Sequence, residues 1–224
     1  MSVYGVPHSL HVNSSDRSKP KKAENTRLAI LNSMINLIWA HPFRDLTVSI
    51  VMTSTGAGRS AFYQYFNDLH EAIEVLLESS KEEIFSAAIP WLSGVGDPVV
   101  LIQETIAGLV AVSYQRGPIF RAVVDASATD KRLEDAWNQF MGQFDEAASA
   151  RIEADQKQCL TPDFDARSVA FALNRLNAST LIEAFGQRPR MKPEPVRESL
   201  ARIWISSLYG AEHVGVETSN LVRI

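Results

Sequence analysis

Between Leu46 and Phe66 the chain reads LTVSIVMTSTGAGRSAFYQYF, and this segment gathers side chains able to meet nucleic acid. Phe62 and Phe66 lie four residues apart, so on a helix they share one face and can anchor it inward. Arg59, Ser60, Tyr63 and Gln64 then fall largely on other faces and offer guanidinium, hydroxyl and amide groups. Such groups contact phosphates or base edges. Gly56 can take the positive backbone angle that a tight turn requires. A short helix, a glycine turn and a second helix with a polar outer face meet the needs of major-groove reading.

A second constellation lies in the C-terminal half. Asn174 and Asn177 are three apart on one helical face, beside Phe171, Ala178 and Leu181. An unpaired buried amide costs about 1–3 kcal/mol, so two amides on an apolar face need partners. A ligand, water or a second subunit would each serve. Trp137, Met141 and Phe144, spaced by four and three, form a stripe on the preceding helix, and Tyr114 and Trp204 stand where they can close a cavity from neighbouring helices. For any one of these residues ordinary core packing is an equally good account. As a set they suit an elongated, mostly apolar ligand with a central hydrogen-bonding group.

Catalytic arrangements are missing from the pattern. The five His are scattered without metal-ligand spacing, no glycine-rich phosphate loop precedes a helix, and Cys159 has no base near it in sequence. The expectation is a non-enzyme without cofactor or metal. A single Cys excludes an intrachain disulfide framework and fits a reducing cytoplasm. The first twenty residues lack the pattern of a signal peptide, and no apolar run approaches the roughly 20 residues that span a bilayer.

The net charge of −4 hides an asymmetry: residues 1–66 carry seven Lys/Arg against three acids, while residues 67–224 are acidic. Screening limits attraction to DNA to roughly 10 Å, so a basic end on an acidic body is compatible with binding through that end.

The elements that must position these groups are all helical. Residues 1–20 read as a flexible basic arm, 21–67 as a helix-turn-helix DNA-binding domain, and 68–224 as an effector-binding and dimerisation domain. Leu28, Leu31, Ile35 and Ile38 mark the first helix, which Pro42 closes. Asp45 and Thr47 offer caps for a short second helix, and a third starts near Arg59. From Asp68 a long helix is expected to end near Pro90. Further helices are expected over 99–115, 118–128, 130–157, 164–186 and 195–212, with a break at Gly117-Pro118. The architecture is all-α, with about nine helices in two unequal parts.

Gly56 through Phe66 resembles the signature of the TetR family, in which a turn glycine precedes a recognition helix ending in an aromatic cluster, here Phe62-Tyr63-Gln64-Tyr65-Phe66. Pro42, Phe43, Leu46 and Thr47 resemble the family's link between its first two helices. The segments Ala172–Asn177 and Ile203–Gly210, with the spacing around Trp137–Met141, resemble the ethionamide-resistance-repressor branch of that family.

The resemblance implies a homodimeric regulator, by family habit a repressor, that binds a double-stranded, pseudo-palindromic operator and is released by a small-molecule effector. A helical ligand-binding or interaction protein of the same fold without DNA binding is the alternative. Thr47 would bind phosphate, Tyr63 and Tyr65 would pin the recognition helix to the backbone, and Arg59, Ser60 and Gln64 would meet base edges. Gln64 suits adenine and Arg59 guanine. In the related branch the asparagines matching Asn174 and Asn177 face the ligand. The last two helices would pair across a two-fold axis, with Ala166, Ala170, Ser199 and Ser206 allowing close approach.

Two residues depart from the family's habit. Gly58 replaces a capping Ser or Thr. Leu69 stands where a basic residue often binds phosphate, a role His70 would take over. Arg17, Lys19, Lys21 and Lys22 would add minor-groove contacts from the arm.

Overall fold

The computed structural model describes the backbone of residues 18–210 and the side chains of residues 24–210. Most of the N-terminal arm, including Arg17, and the side chains of Lys19, Lys21 and Lys22 lie outside the described residues. So do residues 211–212, where the last helix was expected to end.

Eight α-helices and no strand occur among the described residues. They are α1 (Ser18–Ile38), α2 (Val48–Thr53), α3 (Arg59–Phe62), α4 (Leu69–Ser93), α5 (Pro98–Ser127), α6 (Lys131–Lys157), α7 (Ala166–Phe185) and α8 (Pro193–Tyr209), with a 3-10 turn at Phe43–Asp45. The starts follow capping chemistry. Thr47 Oγ1 accepts from the Ile50 N–H, Asp68 from Glu71, Asp97 from Val99, Asp130 from Arg132 and Leu133, and Asp165 from Ser168.

The expected break at Gly117-Pro118 does not occur, and for that reason the helices number eight rather than nine. Proline removes one N–H and crowds the carbonyl four residues back, a penalty of about 3 kcal/mol in an ordinary helix interior. Here that carbonyl belongs to Tyr114, and it accepts a hydrogen bond of 2.7 Å from the Arg190 guanidinium, which comes from the α7–α8 loop. Gly117 answers a second demand. A Cβ at this position would stand 2.5 Å from the Phe185 carbonyl oxygen, so only glycine lets α5 approach the end of α7 so closely.

Pro90 likewise sits inside α4, which continues to Ser93 rather than ending near the proline. The Trp91 N–H donates to Thr105 Oγ1 on α5 at 2.9 Å, a cross-helix bond next to the disturbed turn.

α5 is the hub and packs against α1, α4, α6, α7 and α8. By length and composition it would pass for a membrane span, but a core helix passes the same test. One hydrophobic cluster joins Ile30 and Met34 of α1, Val51 of α2, Phe62 of α3, Ile73 and Leu77 of α4, Ile119 of α5 and Phe140 of α6. The three N-terminal helices are therefore seated on the body by a shared core. A second cluster, with Trp91, Ile106, Ile152, Phe185, Leu200 and Trp204, fills the far end.

Candidate DNA-reading face and effector cavity

Phe62 and Phe66 are buried, with ring centroids 5.5 Å apart, and they anchor α3 and the turn after it. Gly56 has φ of +69°, the left-handed conformation a tight turn requires. Thr55 Oγ1 braces that turn by donating to the Met52 carbonyl and accepting from the Ala57 N–H. Behind it, Ser33 of α1 donates to the Val51 carbonyl at 2.6 Å and accepts from the Ser54 hydroxyl, which ties α1 to α2.

The outward residues are Thr47, Arg59, Ser60, Tyr63 and Gln64, all exposed. Arg59 and Tyr63 form a pair, with the guanidinium donating to the tyrosine oxygen at 3.1 Å. The Tyr63 proton stays available for an acceptor. Ser60 and Gln64 have no side-chain hydrogen-bond partner among the described residues. Tyr65 is half-buried and packs on the core cluster.

His70, expected to take over a phosphate contact, is half-buried at the start of α4. Its ring packs edge-on against Phe43, with centroids 5.3 Å apart, and its Nδ1 lies 3.9 Å from Asp130. Its attachments are therefore to the 3-10 turn and the start of α6. Gly58 supplies the expected uncapped start of α3, with extended backbone and no side-chain cap bond.

Directly behind this face, the Arg132 guanidinium of α6 reaches Asp68, the N-cap of α4, at 2.8 Å, and Asp130 at 2.9 Å. The hydrogen bond from Arg132, helped by backbone N–H groups, holds the Asp130 carboxyl down to about 2. Asp68 is pushed up by partial burial, but its bonds from Glu71 N–H and Arg132 outweigh this and leave it below the usual carboxylate range.

In the body, a cavity with an empty volume of about 500 Å³, open mouth included, lies among α4, α5, α6 and α7. Trp137, Met141, Phe144, Asn174 and Asn177 all line it. Trp204 lines an adjoining lobe of about 360 Å³, which shares Leu109, Phe144, Asn174 and Asn177 with the first. Tyr114 is the exception and lines neither. Its ring lies against Phe185, and the Arg190 guanidinium covers it at 3.6 Å. Arg190 is needed at the Tyr114 carbonyl to sustain α5, and it carries the ring away from the cavity.

Phe140, Ser113 and Phe120 also line the cavity. Phe140 was legible as another member of the α6 stripe, three residues after Trp137. Ser113 and Phe120 carried no signal, because the expected break separated their helix into two pieces.

The two asparagines find partners inside the chain. Asn177 Oδ1 accepts the Trp204 indole N–H at 2.9 Å, and Asn174 Nδ2 donates to Asp145 at 3.0 Å. These bonds set the amide orientations, since an indole N–H only donates and a carboxylate only accepts. The Asn177 NH2 and the Asn174 oxygen are left with no internal partner, although Asn174 keeps a second N–H and Asn177 Oδ1 a second lone pair. No fully enclosed side-chain N or O among the described residues lacks a partner, so these two atoms stay accessible.

Beyond Trp204 the second lobe is closed by a buried relay. Trp204 meets Trp91 edge-on at 5.3 Å, Trp91 donates to the Tyr209 oxygen at 2.8 Å, and Tyr209 donates to Asp155 at 2.6 Å. Arg151 neutralises Asp155 at 3.0 Å. Burial, then the bond to Asp155, pushes the Tyr209 hydroxyl well above its ordinary range.

Two of the small residues expected at a dimer interface face inward instead. Ala166 and Ala170 are buried under the second core cluster, whereas Ser199 and Ser206 are exposed.

Residues 102–210 match the family described as transcriptional regulator EthR, C-terminal domain. The chain is 26% identical over 211 residues to the HTH-type transcriptional regulator EthR of Mycobacterium tuberculosis, covering 87% of this chain and 92% of that one. Its fold is similar to a TetR-family regulator from Syntrophomonas wolfei, with a TM-score of 0.66 at 17% identity, over 88% of this chain and 99% of that one. It is also similar in fold to AibR, solved with isovaleryl coenzyme A and operator DNA, with a TM-score of 0.62 at 8% identity, over 83% and 98% of the two chains. The chain is thus similar in sequence to EthR and in fold to TetR-family regulators, and its residues 102–210 match the EthR C-terminal family.

Proposed function

We propose that this regulator is a homodimeric repressor that leaves its operator when a small, largely apolar molecule enters the cavity lined by Asn174 and Asn177. Operator contacts fall to Thr47, Arg59, Ser60, Tyr63, Gln64 and the edge of Tyr65; His70 serves the packing behind them. The single observation that carries the effector reading is the polarity of the two amides. One presents a donor and the other an acceptor, three residues apart on α7, within a largely apolar lining that also includes the Ser113 hydroxyl. A secondary amide or a carboxylic acid, with donor and acceptor adjacent, satisfies both. An ester leaves the Asn174 oxygen unpaired.

Exposed Phe171 on α7, with Ser199, Ile203 and Ser206 on α8, supports pairing of two protomers through these helices. A two-fold pair presents two α3 elements to two half-sites. The effector acts only as far as it prefers one spacing of those heads over the other.

The test begins with DNA from upstream of the protein's own gene, titrated against a scrambled duplex at low and near-physiological salt. Selective binding that weakens steeply with salt is expected. Long-chain amides and their matched esters are then compared for release of that duplex. Equal potency of each amide and its ester would sink the polarity assignment.

A further inference from the structure

Across α5 from the effector cavity lies a second cleft with different chemistry. Its empty volume is about 450 Å³, open mouth included, and its walls are the end of α1, the turn after it, α5 and the α7–α8 loop. Trp39, His41, Arg121, Asp125, Gln187 and Arg188 line it. α5 serves as a common wall: Phe120 faces the effector cavity, while Pro118 and Arg121 face the cleft. No residue of α2 or α3 contributes, so the cleft is separate from the DNA-reading face.

The hydrogen-bonding groups here are strongly one-sided. Arg121 is balanced by Asp125 at 3.6 Å and also donates to the Gln187 side-chain oxygen. That bond leaves the Gln187 NH2 as a donor. Arg188 meets no carboxylate among the described residues, and its guanidinium lies over the Trp39 ring, 5.1 Å from the centroid. Arg190 lies over the same ring, also at 5.1 Å, and it too lacks a carboxylate. Asp125 is the one acid in the lining, and Arg121 occupies it. Stacking on an indole holds a guanidinium's position while its N–H fork remains able to bind in the ring plane. A planar fork beside an amide donor matches the geometry of a carboxylate or phosphate.

The geometry points to an oxyanion-binding site in this cleft, with Arg188 as principal ligand and Arg121 and Gln187 as supporting donors, for a small molecule carrying a carboxylate or phosphate group. Its walls come from both the end of α1 and the effector body.

The full-length protein is titrated with inorganic phosphate and, separately, with acetate at constant ionic strength, with tryptophan fluorescence as the readout of Trp39. The same titrations are run on Arg188→Ala and on Arg197→Ala, an exposed arginine of α8 that serves as control. A saturable signal is expected in the parent and in Arg197→Ala, weakened by about tenfold or more in Arg188→Ala, the loss typical of one charge-assisted bond. Trp39→Phe is expected to remove the signal, and circular dichroism checks that each variant is folded. A response to phosphate alone assigns a phosphate ester, to acetate alone a carboxylate, and to both the wider class. A non-saturable response, or equal affinity in the parent and Arg188→Ala, overturns the site. Displacement of the bound anion by a random-sequence DNA duplex also overturns it, because the cleft would then be a DNA-backbone contact.

Discussion

The DNA-reading face and the effector cavity use polar side chains in opposite ways. On the face, Ser60 and Gln64 point outward without a hydrogen-bond partner among the described residues, and Arg59 and Tyr63 bond to each other, with the Tyr63 ring edge-on to Phe62. In the cavity, each asparagine has given half of its amide to an internal partner, Trp204 or Asp145. A solvated group makes its specificity only when the ligand arrives, whereas a buried group must be satisfied beforehand and presents what is left. Substitutions on the face should therefore change binding and spare stability, while those around the cavity should change both.

The sharpest break of that contrast is expected at Asp155. Its carboxylate is 1% exposed and serves both Arg151 and Tyr209. Asp155→Ala strands a buried charge and should cost about 3–5 kcal/mol, visible as a large fall in thermal midpoint. A midpoint within a degree or two of the parent would show the relay to be more solvated than its burial implies.

Asn177→Leu is next. It removes the acceptor from the Trp204 N–H and should destabilise by about 1–3 kcal/mol in chemical denaturation. It should also abolish release of operator by amide effectors. A stable variant that still releases DNA would mean that the amide serves neither role.

On the DNA side, Arg59→Ala and Gln64→Ala should each weaken operator binding by about 1–3 kcal/mol and relax selectivity at one base pair. Their unfolding free energies should stay within about 0.5 kcal/mol of the parent. A large stability loss in either would erase the distinction between the two regions.

The smallest effect concerns the Arg132 bridge behind α3. Asp130 has its carboxyl lowered to about 2 by Arg132, from a usual value near 3.8. A depressed pKa contributes stability above the unfolded value, lost as pH falls through the folded one. Asp130→Asn should thus be less stable than the parent from neutral pH down to about 4, and the gap should close as pH falls toward 2. A gap that persists at pH 2 would assign the loss to the α6 cap rather than to charge.

How much of this was legible in the chain depended on distance along it. Gly56, Phe62 and Phe66 lie within eleven residues, so a local pattern was enough to place the turn and the anchored helix. The asparagine pair and the α6 stripe were legible for the same reason, since helical periodicity puts residues three and four apart on one face. The two amides were recognisable as needing partners, but which partners they have depends on Trp204, twenty-seven residues away, and on Asp145 in another helix.

Prolines, glycines and alanines show the other limit. Gly117-Pro118 reads as a helix break because locally a proline cannot continue the ladder. Arg190, seventy-six residues away, takes the orphaned carbonyl and makes α5 continuous, and the same arginine draws Tyr114 from the cavity. Ala166 and Ala170 read as interface residues because small size suits both close helix pairing and a tight core. Taken alone, the sequence determined the helix-turn-helix, the two constellations and the helical class, since those rest on periodicity and local capping. The continuity of α5, the polarity of the cavity and the cationic cleft opposite it were decided by tertiary structure, because each depends on a polar group meeting a partner from a distant part of the chain.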